Sequence, residues 1–370
     1  MAVTMKEIAH LAGVSQPAVS AALSGRGSVR VSDELRARIL RIARDLDYVP
    51  NSAAQRLRGR KTNTIGIYGV PYVSVLTQSL MLSISLDLAA AGYNLLSCYG
   101  DTDEASYRAI KELVGKGIDG LIILTEENHI LKFKKPPVPY VYCPPFSLSD
   151  FDFAIDHKAG CRLGTAKLIE SGCRRIGFIC TNDWETSVTN RKHASLEKLA
   201  GIRSALEEHG LPMPKEFVLT HESCQYSAST LARRVKELAL DGLICANDYL
   251  AAKLMLPLAQ AGISIPEDLK IVGYDGLSIC DFTTVPLATI VQPMIRLSKL
   301  TTETMLSRIK SHILRPEPCK QLLQPSFYAN ESCGMPSENT DLLISSDSYS
   351  TIELNLKLNP RPDTTRKDPP

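Results

Sequence analysis

The chain has 370 residues, of which 44% are hydrophobic and 22% charged. That is room for two or three domains with proper cores, in the composition of an ordinary soluble globular protein. No run is long or apolar enough to span a bilayer, and the N-terminus lacks the basic start and apolar core of a signal peptide. A membrane protein is therefore not expected, export is not expected, and the cytoplasm is the expected compartment. Ten cysteines occur without a CxxC pair or metal-like His/Cys spacing, so free thiols are expected, with no metal and no cofactor. The net charge of +2 hides an asymmetry: residues 1–61 hold 11 Lys/Arg against 5 Asp/Glu, and the remainder 31 against 35. A basic head on a mildly acidic body points to a polyanion as the head's partner.

Residues 4–24 predict two short helices joined by a tight turn. Thr4 and Glu7 have the T-x-x-E spacing of a capping box. Ile8, Leu11 and Ala12 fall on one helical face. Gly13 supplies the left-handed stop, and Val14 packs inward. Ser15 is a good N-cap, and Pro17 stands in the first turn, where its missing N–H costs little. Ala18, Val19, Ala22 and Leu23 form a buried stripe, which leaves Gln16, Pro17, Ser20, Ala21 and Ser24 outward. Such a pair is a helix-turn-helix, whose second helix can lie in a DNA major groove.

Residues 24–28 read as a loop, and Ser32 caps a third helix with Leu35, Ile39, Ile42 and Leu46 inward and Arg36, Arg38, Arg41 and Arg44 elsewhere. Some of these arginines are expected on phosphates, which position a domain without reading sequence. From Thr62 to about Ser332, strand and helix patterns alternate. Strands are expected at 65–70, 93–98, 118–124, 139–143 and 151–155, with helices at 75–91 and 103–116 between the early ones. A second course has strands at 175–180, 217–220, 241–246 and 269–273, with helices near 194–209, 227–239 and 247–262. This rhythm predicts parallel sheets covered by helices, in two lobes with a cleft between them. Gly115-Lys116-Gly117-Ile118-Asp119-Gly120 fits GxGxxG, but it follows a helix and precedes a strand, the reverse of a dinucleotide-binding turn, and is read as a helix stop.

The stretch 4–24, with Val31-Ser32, Tyr48-Val49-Pro50-Asn51 and Ala54-Gln55-Arg56-Leu57, resembles the LacI/GalR family of bacterial transcription regulators. The likeness continues through Gly117–Ile122, Gly172–Ile176, Ala246-Asn247-Asp248, Ile265–Asp268, Val272-Gly273-Tyr274-Asp275 and Gln292-Pro293. The resemblance implies an N-terminal all-α helix-turn-helix domain (1–49), a hinge helix and linker (50–61), an α/β two-lobed, periplasmic-binding-protein-like effector and dimerisation domain with parallel sheets (62–332), and a tail (333–370). It puts Gln16, Pro17 and Ala21 on base edges, and it makes Leu57 a wedge between central base pairs, with Ala53 and Ala54 small enough for close approach to the minor groove. With the caps Thr4 and Ser15, outward Ser20 and hinge Asn51, these complete the expected DNA-contact set: Thr4, Ser15, Gln16, Pro17, Ser20, Ala21, Asn51, Ala54 and Leu57.

The resemblance also implies an effector pocket at strand ends. Asn247, Asp275, Gln292 and Asp156 match polar positions of that pocket, and Tyr226 stands roughly where relatives stack an aromatic on the ligand. Lys198 replaces the family's arginine, keeping the charge without the planar fork, and Cys143-Pro144-Pro145 departs from the family pattern as well. For Asp248 the sequence offers another role, capping the helix that follows it. Trp184, the only tryptophan, is read as a surface-loop residue. The function implied is a sequence-specific DNA-binding regulator, a repressor, acting as a homodimer on operator DNA under a small-molecule effector such as a sugar. A purine-like corepressor remains an alternative. A solute-binding module without a DNA role is a further reading, against which the basic helix-turn-helix speaks; no nucleophile–base pair or phosphate loop supports an enzyme. In the tail, disorder is expected, apart from the strand-like alternation of residues 351–358.

Overall fold

A computed structural model describes residues 3–24, 30–48, 61–69, 75–100, 102–125, 136–144, 150–180, 191–220, 228–314 and 317–336. The chain divides into two compact units, Met1–Thr62 and Asn63–Pro370.

The first unit holds α1 (Met5–Ala12), α2 (Gln16–Ser24) and α3 (Asp33–Asp45). The capping box forms at its start: the Thr4 N–H donates to Glu7 Oε2 at 2.7 Å, and the Glu7 N–H donates to Thr4 Oγ1 at 3.4 Å. Gly13 ends α1 in the left-handed conformation, φ 65°, where a Cβ would be strained. Ser15 Oγ accepts from the Ala18 N–H at 3.4 Å, and Ser32 Oγ from the Leu35 N–H at 3.3 Å. Ile8, Ala9, Ala12, Val19, Ala22, Ile39 and Ala43 form the core, with Val14, Leu23, Leu35, Ile42 and Leu46 packed at its edge. Leu11, expected inward, is instead 54% exposed. At about 100° per residue, the buried arc of α1 runs from Ile8 through Ala12 to Ala9, and Leu11 falls outside it. Arg36, Arg38, Arg41 and Arg44 are exposed.

The second unit alternates β1 (Thr64–Gly69), α4 (Val75–Ala90), β2 (Asn94–Cys98), α5 (Asp103–Gly115), β3 (Gly120–Leu124), β4 (Tyr140–Tyr142), β5 (Phe153–Ile155), α6 (His157–Glu170), β6 (Ile176–Cys180), α7 (Arg191–Glu208), β7 (Val218–Thr220), α8 (Ala228–Glu237), β8 (Gly242–Cys245), α9 (Asp248–Gln260), β9 (Lys270–Asp275), β10 (Ala288–Val291), α10 (Met294–Ser311), β11 (Gln321–Leu323) and β12 (Ser326–Tyr328). One sheet has the order β2-β1-β3-β4, all parallel. Another has the order β12-β10-β9-β8-β6-β7, parallel except for β12 against β10. Their central strands are buried on both faces, as parallel strands between helices must be. α5 ends at Gly115 and β3 starts at Gly120, so the GxGxxG sequence is a helix stop.

Each sheet carries its own core. Met294, Leu297, Met305 and Ile309 of α10 pack with Ile65, Ile67, Ile122 and Val141. Cys161, Leu168 and Ile169 of α6 pack with Phe178, Ile244, Val272 and Ile290. The chain therefore crosses between two lobes at Asp156, at Gln292-Pro293 and at Gln324-Pro325. β5 and β11 run parallel as they approach the first and last crossings. Cys333 is buried and Met335 packs on the same core as α6, so the packed body runs past residue 332. The expected hinge, the 351–358 segment and Trp184 lie outside the described residues.

A buried ion pair anchors α10. Arg308 donates to both oxygens of Asp152 at 2.8 Å and to the Tyr140 carbonyl at 2.6 Å, with the two side chains 5% and 0% exposed. Removing one partner leaves the other charged and buried. Arg308→Met is expected to cost about 3–5 kcal/mol in urea unfolding, whereas breaking the exposed Arg162–Glu208 pair should leave the unfolding midpoint nearly unchanged, because solvent screens it.

Among the described residues, the nine cysteines are free, no His/Cys/Asp/Glu cluster could hold a metal, and no helix is long and apolar enough to cross a membrane.

Candidate DNA-binding and ligand-binding surfaces

In the first unit, Ala18, Val19 and Ala22 of α2 face the core, which turns Gln16 and Pro17 fully outward and leaves Ser20 and Ala21 half-exposed. A long amide and a pyrrolidine at the first turn, followed by small residues one turn on, suit the floor of a major groove. Thr4 and Ser15 hold helix N-termini, which bring backbone N–H groups to the surface where phosphates can accept from them. Asn51, Ala54 and Leu57 lie outside the described residues.

In the second unit, the polar residues singled out from the sequence gather at the carboxyl ends of β8 and β9 and at the lobe crossings, the edge where open α/β sheets bind ligands. Asn247 follows β8 and caps α9, its side chain accepting from the Leu250 N–H at 2.8 Å. That leaves its amide N–H₂ as the group a ligand could meet. Asp275 closes β9 with φ 126°, a backbone conformation that L-residues rarely adopt. Its Oδ1 accepts from Gln292 Nε2 at 2.7 Å across the crossing from β10. Burial raises the Asp275 carboxyl above the usual range, and the Lys198 charge and the Gln292 hydrogen bond act against that.

Lys198, on α7, is only 8% exposed. Its Nζ donates to the Ala246 carbonyl at 2.7 Å and stands 3.7 Å from the centre of the Tyr274 ring. Asp156 is the most structural member of the set. One oxygen caps α6 by accepting from the Ala159 N–H, and the other accepts from Gln324 Nε2, both at 2.8 Å. Tyr226 lies outside the described residues.

The capping role offered for Asp248 falls to Asn247 instead. Asp248 is fully buried, its Oδ2 accepting from the Leu277 N–H at 2.8 Å and its Oδ1 from the Thr289 hydroxyl at 2.6 Å. It pins the turn after β9 to β10, directly behind Asp275. Burial first, and then the nearby Asp275 charge, push its carboxyl up to about 8. A Cβ at Gly273 would run into Asp248 Oδ1, so the glycine of Val272-Gly273-Tyr274-Asp275 makes room for that carboxyl. Sequence reasoning also missed His157 and Tyr274. His157 Nδ1 lies 2.6 Å from the Tyr274 hydroxyl, and both side chains are buried. Their only sequence signal was position, one residue beyond Asp156 and one before Asp275.

A helix-turn-helix unit joined in one chain to a two-lobed α/β unit with polar residues at its strand ends defines a class: DNA-binding regulators that answer to a small ligand. Comparison with known proteins narrows it. Residues 4–51 match the profile of bacterial regulatory proteins, lacI family, and residues 165–333 match a periplasmic binding protein-like domain. A ribose operon repressor from Haemophilus influenzae is 30% identical over 320 residues, 83% of this chain and 92% of that one. A Lac repressor dimer bound to operator and the anti-inducer ONPF shares the fold, with a TM-score of 0.75 at 21% identity, covering 90% of this chain and 99% of that one. A LacI family transcriptional regulator from Enterococcus faecium with bound ribose has a TM-score of 0.59 at 26% identity, covering 73% of this chain and 98% of that one. The chain belongs to the lacI family of bacterial regulatory proteins: it is a DNA-binding transcription regulator and not an enzyme.

Proposed function

We propose that the chain is a cytoplasmic homodimeric repressor whose hold on a pseudo-palindromic operator is set by a sugar bound between its lobes, with D-ribose the first candidate. The observation that carries the reading is the convergence of Asp275, Gln292, Lys198 and Asn247 at the strand ends and lobe crossings. A carboxylate accepts from ligand hydroxyls, while amide and ammonium groups donate to ligand oxygens, the mixture that a polyol demands. The ribose assignment draws on a ribose operon repressor among the relatives and on the ribose-bound neighbour. A thermal-shift panel of sugars, sugar phosphates, nucleosides and purines tests it. Ribose at a hundred times its dissociation constant adds roughly 2.7 kcal/mol of stability. A shift with a purine and none with any sugar replaces the sugar by a purine-like ligand.

On the DNA side, residues 1–49 read the operator through Gln16, Pro17, Ser20 and Ala21, supported by Thr4 and Ser15. Residues 50–61, with Asn51, Ala54 and Leu57, form the hinge. Gln16 pairs with an adenine through its two amide atoms. Gln16→Ala is expected to cost about 1–3 kcal/mol of operator binding and to relax specificity at one base pair. The salt dependence, set by phosphate contacts, stays unchanged in a gel-shift series.

Each chain offers one recognition helix, so a palindromic site needs two chains. Leu82 and Leu86 stand one turn apart on α4, 51% and 54% exposed, and suit a partner subunit. Leu86→Asp is expected to shift the dimer toward monomer in sedimentation velocity; an unchanged dimer removes α4 from the interface.

A further inference from the structure

A buried ammonium on a flexible four-carbon stem needs something to fix it, because a lysine lacks the planar fork that would pre-orient it. Lys198 donates to the Ala246 carbonyl at 2.7 Å and stands 3.7 Å from the Tyr274 ring centre, and its charge also acts on the Asp275 carboxyl. The carbonyl belongs to the backbone where β8 meets α9. The ring belongs to Tyr274, fully buried in the core that holds Phe178, Ile244 and Val272, and a cation over a ring gains most when it is centred.

The hydroxyl end of that ring meets His157. It is the first residue of α6, next to the crossing residue Asp156, and its Nδ1 meets the Tyr274 hydroxyl at 2.6 Å. The two rings are tilted at 50° with centres 5.5 Å apart, so the contact is a directed hydrogen bond and not a stack. Both side chains are buried, where such a bond is strong and costly to lose. A chain of contacts thus runs from the lobe crossing through His157 and Tyr274 to the Lys198 ammonium.

We propose that His157 is a positioning residue for ligand recognition: by holding the Tyr274 ring it sets where the Lys198 ammonium stands and hence how tightly the pocket takes a polyol. The inference rests on the reading of this pocket as the effector site. An asparagine in place of His157 presents an oxygen near the place of Nδ1 and should preserve the bond, whereas a leucine removes it. Tyr274→Phe removes the same bond from the other side while keeping the ring.

The test has one arm without ligand and one with it. In protein labelled at lysine ε-carbons, the Lys198 methylene signal, assigned by its loss in Lys198→Arg, is expected to be displaced upfield, because the Nζ bonded to it stands 3.7 Å from the ring centre. His157→Leu and Tyr274→Phe are each expected to remove more than half of that displacement, with no further change in the double variant, and His157→Asn to retain it. In calorimetric titration with D-ribose, the first two variants are expected to lose roughly tenfold in affinity and His157→Asn less than threefold. An unchanged Lys198 signal in both His157→Leu and Tyr274→Phe overturns the proposal, as does a loss in His157→Asn equal to that in His157→Leu. Should His157→Leu fail to fold, Tyr274→Phe decides. A parent protein that ignores ribose refutes the ribose reading alone, and the ligand-free arm still decides the role of His157.

Discussion

Asp275→Ala is expected to abolish the response to ligand while leaving operator affinity within about threefold of the parent. The carboxyl stands at the end of β9, tethered by Gln292 through one oxygen, with the other able to accept from ligand hydroxyls. Hydrogen bonds to a charged group are worth about 1.5–3 kcal/mol each, so losing one or two weakens binding by roughly one to four orders of magnitude. Asp275→Gly sharpens the prediction. A side chain at φ 126° costs about 1–3 kcal/mol, and glycine relieves that strain together with the burial of the carboxyl. The glycine variant should therefore be at least as heat-stable as the parent and equally blind to ligand. Such a gain in stability with a loss of response identifies a residue retained for binding and not for folding. A normal ligand response in either variant moves the pocket elsewhere.

Asp248→Asn should change how the stability of the body depends on pH. Burial raises the folded-state pKa of Asp248 to about 8, far above the value in an unfolded chain. The folded protein therefore binds the proton more tightly than the unfolded one. The resulting stability is fully present below about pH 4 and is lost as pH rises toward and through 8. Each pH unit in that window is worth at most about 1.4 kcal/mol. The substituted asparagine is neutral throughout; its oxygen can accept from the Leu277 N–H, and its N–H₂ can donate to the Thr289 hydroxyl. Thermal melts from about pH 5 to 9 should show the parent falling by several degrees relative to the variant. Parallel curves would mean that Asp248 does not keep its proton in the fold.

Much of this architecture was legible because the physics was local. The capping box at Thr4, the glycine stop at Gly13 and the Ser32 cap each need only a few adjacent residues. The buried strands of the body read as apolar runs, since parallel strands are covered on both faces. The helices that sequence reasoning passed over are those whose inner faces mix small or polar residues with the apolar ones. α6 lays Gly160 and Gly164 against Ile290 and Pro325, and α10 buries Ser298, Thr301, Thr302 and Arg308. Small and polar residues interleaved on an inner face blur its hydrophobic period. The sequence singles out Lys198, Asn247, Asp275 and Gln292 as candidates, but their division of labour is not visible in it. Asn247 and Asp248 are neighbours in sequence; only the Leu277 N–H and the Thr289 hydroxyl, 29 and 41 residues away, make one a cap and the other a buried pin.

The central claim is that a ligand at Asp275 controls the grip of the head on DNA, a coupling free energy between two sites. The most direct measurement is fluorescence anisotropy of a labelled duplex, recovered by selection from random sequence, titrated with the full chain at fixed salt with and without D-ribose. The account predicts that saturating ribose shifts the operator dissociation constant by tenfold or more, that binding to unselected DNA barely moves, and that Asp275→Ala shows no shift. Equal operator affinity with and without a sugar that demonstrably stabilises the protein would contradict it.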